Sequence, residues 1–183
     1  MVTASPICDF GRPAADFALP GVDGKLWRLA DVRGPHGTVV MFLANHCPYV
    51  KGAIARIVAQ ADELKRHGIG AVAIMANDTA AYPEDGFENM KRFAAEHRFG
   101  FPYLLDESQA AARAYGAEMT PEFFGYDANL RLQYHGRLDD SGLKASPGGR
   151  RELLEAMLQI AAGKGGPQEQ SRALGCSIKW RHT

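Results

Sequence analysis

The stretch Val39-Val40-Met41-Phe42-Leu43-Ala44-Asn45-His46-Cys47-Pro48-Tyr49-Val50-Lys51 decides the fold. Residues 38–44 are apolar and partly β-branched, the composition of a central strand covered on both faces. The run ends in a cysteine followed by proline. Over 49–67 the apolar residues Ile54, Ile57, Val58, Ala61 and Leu64 then recur at helical spacing. Lys65, Arg66 and His67 complement the dipole at the end of this helix, and Gly68 stops it. Cys47 therefore stands at a strand-to-helix junction, where backbone N–H groups and the helix dipole favour a thiolate over a thiol. A dithiol motif needs a second cysteine at position 50, and valine is there.

The pattern continues outward from this junction. Residues 69–75 form a second apolar strand. Asn77-Asp78-Thr79 and Tyr82-Pro83-Glu84-Asp85-Gly86 read as an inserted polar loop that could rim the site but carries no ligand signature. A helix is predicted over 87–97 with Phe87, Met90, Phe93 and Ala94 on one face. A short extended segment follows at 102–105. Ser108 is the predicted N-cap of a helix that runs through Tyr115 and ends at Gly116. Hairpins are predicted at 16–29, around Gly21-Val22-Asp23-Gly24, and at 123–134, around Asp127-Ala128-Asn129. Tyr134-His135 reads as ordinary sheet surface. The last amphipathic helix covers 150–162, with Leu153, Leu154, Met157, Leu158 and Ala161 as its buried stripe. Strands alternating with helices argue for an α/β fold with parallel central strands, to which the late hairpin adds antiparallel ones. One domain over 1–163 is expected, followed by an extension over 164–183 that carries Cys176.

The bulk numbers narrow the function classes. The 183 residues, 46% of them hydrophobic, suffice for a sizeable core. Twenty-one basic residues balance twenty-one acidic ones, so charge gives no case for nucleic acid or a membrane surface as partner. No stretch approaches the roughly 18 apolar residues of a membrane span. Met1-Val2-Thr3-Ala4-Ser5-Pro6 lacks the features of a signal peptide, so a cytoplasmic location is expected. Cys8, Cys47 and Cys176 are too few for a disulfide scaffold.

The strand–Cys47-Pro48–helix junction, the Thr120-Pro121 pair before a strand, and the order of elements resemble the thioredoxin fold, in its redoxin branch with the peroxiredoxins and the AhpC/TSA group. Asn45-His46-Cys47-Pro48-Tyr49-Val50-Lys51, Thr120-Pro121-Glu122-Phe123-Phe124, Gly136-Arg137-Leu138-Asp139-Asp140 and Gly175-Cys176-Ser177-Ile178-Lys179-Trp180 together are similar to a peroxiredoxin-like family over almost the whole chain. The resemblance implies a central mixed β-sheet flanked by helices, with an N-terminal β-hairpin and a C-terminal tail. It also implies a cis Thr120–Pro121 bond that covers Cys47 and offers backbone hydrogen bonds to a bound polypeptide or disulfide. Thioredoxins pair two cysteines where this chain has Cys47 and Val50. Peroxiredoxins place their reactive cysteine where Val50 stands, a threonine at the place of Cys47 and a proline at the place of Leu43.

Cys47 is the expected nucleophile and Cys176 the candidate resolving thiol, because disulfide exchange needs a second sulfur that position 50 does not supply. Thr120 and Pro121 complete the candidate site. Cys8 is read as a spectator. For His46, packing or a backbone-directed hydrogen bond is expected rather than a base for its neighbour. Arg137 is weighed between reaching the thiolate and joining a surface ion-pair cluster. His46 and Cys47 are only two potential ligands, so neither a metal nor another cofactor is expected. The expected function is a thiol-dependent oxidoreductase acting on a disulfide or a peroxide. Its partners would be thiol or disulfide proteins or a small thiol such as glutathione. The alternatives are a non-catalytic redox sensor or binding module and, further off, a metal-binding chaperone.

Overall fold

The computed structural model describes residues 2–4, 7–146 and 148–182. Met1, Ser5 and Pro6 of the N-terminal stretch, Pro147, and Thr183 of the extension lie outside the described residues. The strands are β1 Val2–Ala4, β2 Ala18–Pro20, β3 Leu26–Arg28, β4 Gly37–Phe42, β5 Ile69–Met75, β6 Tyr103–Leu105, β7 Met119–Thr120, β8 Glu122–Tyr126, β9 Leu132–Gly136 and β10 Leu174–Ser177. The helices are α1 Leu29–Val32, α2 Pro48–Arg66, α3 Phe87–Glu96, α4 Ala110–Tyr115 and α5 Glu152–Ala161, with a 3-10 turn at Pro83–Asp85.

The central sheet has the order β6-β5-β4-β8-β9. β4, β5 and β6 run parallel, whereas β8 and β9 are antiparallel. All six residues of β4 are buried, as a strand between two neighbours and two covered faces requires. Alternation splits the core in two. Val39 and Met41 face a cluster with Ile54, Ile57, Leu64, Phe93, Leu154 and Met157 from α2, α3 and α5. Val40 and Phe42 face a second cluster with Phe17, Leu29, Val32, Ala112 and Tyr115, built by the N-terminal segment, α1 and α4.

Three local expectations need correction. The helix expected from Ser108 begins at Ala110, with Gln109 in the left-handed conformation before it. The buried Asp106 carboxylate accepts the Ala112 N–H at 2.8 Å and so does the capping, while Ser108 Oγ only accepts the Ala110 N–H at 3.2 Å. Tyr134 and His135 are buried, not sheet surface. His135 is held by Glu122 of the neighbouring strand, at 2.8 Å from Nε2 to Oε1. The extension over 164–183, to which the sequence assigned no element, contributes a strand, because β10 lies between β1 and β7 in a second sheet, ordered β1-β10-β7.

Candidate functional site

Cys47 is the N-cap residue of α2, in extended conformation, with Pro48 as the first helical residue. Proline suits that position because its missing N–H would have had no partner. The Cys47 carbonyl accepts the first helical hydrogen bond, from Lys51 N–H at 2.9 Å. Its side chain does not cap the helix; Sγ donates instead to the Thr120 carbonyl at 3.3 Å. The Thr120–Pro121 bond is cis. Cys47 is 2% exposed and Val50, one turn along, is fully buried, so position 50 belongs to the core.

The extension brings the second sulfur. β10 runs antiparallel to β7 with Cys176 paired to Thr120, the residue that accepts from Cys47. Burial pushes the Cys176 thiol up from its ordinary value. A hydrogen bond and an electrostatic interaction with the Cys47 side chain push the same way, and Lys179 opposes them. All three cysteines are free thiols. Gly175 permits this close approach, since a Cβ there would lie 2.0 Å from the Thr120 carbonyl oxygen. Beyond the strand the chain is fixed by Ile178 N–H to Glu118 O at 2.9 Å, Lys179 N–H to Asn77 Oδ1 at 2.8 Å and Arg181 N–H to Gln109 Oε1 at 2.9 Å. Arg113 lies over the Trp180 ring.

Two buried carboxylates were not found from the sequence. Asp85, 0% exposed, accepts the His46 N–H at 3.1 Å and Asn77 Nδ2 at 2.9 Å, and it pairs with His46 Nδ1. The His46 ring stacks on Tyr82 with centroids 5.6 Å apart. His46 thus binds a carboxylate through both its backbone and its ring. Asn77 relays the cluster to the tail through Lys179. Nearby, Tyr103 OH donates to Asn45 Oδ1 at 2.7 Å. Burial, then the charges of Asp85 and Cys47, push the Tyr103 phenol well up. Glu122, also 0% exposed, uses Oε2 to accept Glu118 N–H at 2.8 Å and Met119 N–H at 3.2 Å, which fixes the backbone that leads into Thr120-Pro121. The sequence clues were a histidine directly before the cysteine and an acid next to the proline. Both needed the tertiary fold to become informative.

The geometry is that of a buried cysteine at a helix start, a facing cis-proline loop and a second thiol on a docked strand. The family model described as the AhpC/TSA family matches residues 10–135. The chain belongs to the AhpC/TSA family. This AhpC/TSA protein is 39% identical, with a TM-score of 0.95, to an uncharacterized conserved protein from Geobacillus kaustophilus, over 100% of this chain and 98% of that one. It is 24% identical over 123 residues to the thiol-disulfide oxidoreductase ResA of Geobacillus thermodenitrificans, a match spanning 67% of this chain and 66% of that relative's length. It shares its thioredoxin-like fold with the peroxidoxin BcpB of Mycobacterium tuberculosis, at a TM-score of 0.59 and 20% identity, over 86% of this chain and 96% of that one. Of these, ResA is named a thiol-disulfide oxidoreductase and BcpB a peroxidoxin, while the Geobacillus kaustophilus protein is uncharacterized.

The remaining candidates of this AhpC/TSA protein lie outside the thiol pair. Arg137 Nε donates to Glu152 Oε1 at 2.7 Å, and that hydrogen bond raises its pKa, so its engagement is with a carboxylate. Cys8 is half-buried, and burial pushes its thiol up to about 11. Among the described residues, no group of three or more His, Cys, Asp or Glu side chains converges as a metal site.

Proposed function

We propose that the protein is a thiol-dependent oxidoreductase in which Cys47 is the nucleophile and Cys176 the resolving thiol. The observation that carries this reading is the pairing of Cys176 with Thr120, the residue whose carbonyl accepts from Cys47 Sγ at 3.3 Å. The Cys47 thiolate attacks a sulfur of a disulfide or the terminal oxygen of a hydroperoxide. The first course forms a mixed disulfide and expels a thiolate. The second forms a sulfenic acid and expels an alkoxide or hydroxide, which takes a proton. Either step changes the Cys47 side chain whose hydrogen bond, after burial, holds the Cys176 thiol up. The Cys176 thiolate then attacks the Cys47 sulfur, releasing a thiol or water and leaving a Cys47–Cys176 disulfide. Two equivalents of an external thiol, small like glutathione or carried by a protein, reduce that bond, returning both protons and leaving as a disulfide. The extension over 164–183 is in this reading part of the catalytic unit. A cytoplasmic location, with its pool of thiols, belongs to the same proposal.

The test is turnover. With excess dithiothreitol, the protein consumes cystamine or hydrogen peroxide over many cycles. Cys47→Ser abolishes this, and Cys176→Ser makes the rate depend on the external thiol. A single oxidation event without turnover favours a redox sensor and refutes the enzyme.

A further inference from the structure

We propose that β10 is a built-in occupant of the strand edge that a polypeptide substrate would need. Cys47 then accepts low-molecular-weight oxidants and excludes polypeptide disulfides, and Gly175 sets this selectivity. The inference rests on Cys47 being the nucleophile proposed above.

A strand edge with open N–H and C=O groups accepts an extended peptide by adding it as a further strand. β7 offers such groups beside the cis-proline. A polypeptide that delivers a disulfide sulfur to Cys47 has to lie along β7, because Sγ sits against the Thr120 carbonyl. β10 already lies there, with Cys176 opposite Thr120 and Ser177 opposite Met119. Its far side is paired in turn with β1, through Val2 to Cys176, Thr3 to Gly175 and Ala4 to Leu174. The strand is anchored at its end as well, since Ile178 is buried and bonded to Glu118. The protein's own cysteine therefore sits where a substrate's would.

This arrangement depends on the absence of a side chain at position 175. A Cβ there would stand 2.0 Å from Thr120 O and 3.3 Å from Pro121 Cδ. The first contact is with backbone, so β10 has to move away from β7 to admit it. Reaction with a small disulfide forms a bond between Cys47 Sγ and one substrate sulfur, breaks the substrate S–S bond and releases the other half as a thiolate that solvent protonates. A small disulfide still has to reach a cysteine that is 2% exposed, but it needs no strand partner on β7. The same exchange with a polypeptide requires the β7–β10 hydrogen bonds to break first.

The test traps the mixed disulfide on Cys47 in the Cys176→Ser protein and follows it by mass spectrometry, with cystamine as the small disulfide and insulin as the polypeptide. Insulin should react at least about tenfold slower than cystamine, since each backbone hydrogen bond that must open lowers the open population several-fold. Adding Gly175→Ala, with the fold checked by circular dichroism, should raise the insulin-to-cystamine rate ratio by at least about tenfold on the same ground. Equal rates in Cys176→Ser alone, or a ratio that stays fixed when β10 is released from a folded protein, overturns the selectivity while leaving Cys47 as nucleophile. Cystamine reacting with Cys47 no faster than with a free cysteine peptide in every form overturns the nucleophile reading and this one with it.

Discussion

Asp85→Ala removes a wholly buried carboxylate that serves three donors: the His46 N–H at 3.1 Å, Asn77 Nδ2 at 2.9 Å and the His46 ring. Asn77 is buried, so its amide loses its partner with no water to replace it. The His46 side chain is 27% exposed, and its ring can turn to solvent at little cost. Each buried donor left unsatisfied costs about 1–3 kcal/mol. Two such donors give about 2–6 kcal/mol, a range that includes the roughly 3–5 kcal/mol for breaking a buried pair by removing one member. For a chain of this size, a loss near 3 kcal/mol lowers the melting temperature by about 6–12 °C. Asp85→Asn keeps an acceptor and the shape and should lose roughly half as much. A second effect separates this cluster from ordinary packing. Asn77 holds the Lys179 N–H at 2.8 Å, so freeing Asn77 loosens the chain just beyond Cys176 and slows closure of the Cys47–Cys176 disulfide. Urea denaturation gives the first quantity, and quenched-flow alkylation after peroxide gives the second. A stability change within about 0.5 kcal/mol, the scale of a surface substitution, would refute the reasoning.

Further outcomes follow from the same contacts. Because Cys176 is held up mainly by burial, closure from a glutathionylated Cys47 should accelerate by about tenfold per pH unit through neutrality, in step with the thiolate fraction. A flat profile measured by rapid acid quench contradicts this. Cys8, pushed up to about 11, should resist iodoacetamide near pH 8 in the folded protein and react only on unfolding, which peptide mapping will show. Burial also raises Tyr115, Tyr126 and Tyr134. Unfolded tyrosines ionise near pH 10 while these stay protonated, so stability is intact below that pH and falls as pH rises above it. Tyrosinate absorbance and loss of helix should then appear together. Gradual phenol titration in a folded protein would count against it. Glu122→Gln loses the charged acceptor that binds His135, Glu118 and Met119, and should cost about 2–4 kcal/mol in urea denaturation.

The junction at Cys47 was legible because it depends on local signals: an apolar run, a proline at the first helical position and a regular stripe on α2. The facing Thr120-Pro121 loop was reachable only through resemblance, since nothing near it in sequence says what it faces. Asp85 stayed hidden because a carboxylate in a polar loop looks solvated; its burial arises from donors on Asn77 and on His46, 39 residues away. β10 was missed for a related reason. Leu174-Gly175-Cys176-Ser177 has little intrinsic preference for a strand, and it becomes one because β1 and β7 offer it a partner on each side. His135 was misread because its position beside Glu122 depends on the pairing of β8 with β9, which alternation alone does not set.

The most direct measurement is a peptide map of the protein after one equivalent of hydrogen peroxide, with free thiols blocked in acid. The account predicts an intramolecular Cys47–Cys176 disulfide as the main product, with Cys8 recovered as a blocked thiol. Sulfinic acid on Cys47 beside an unmodified Cys176, or a disulfide that joins Cys47 only to another chain, would contradict it.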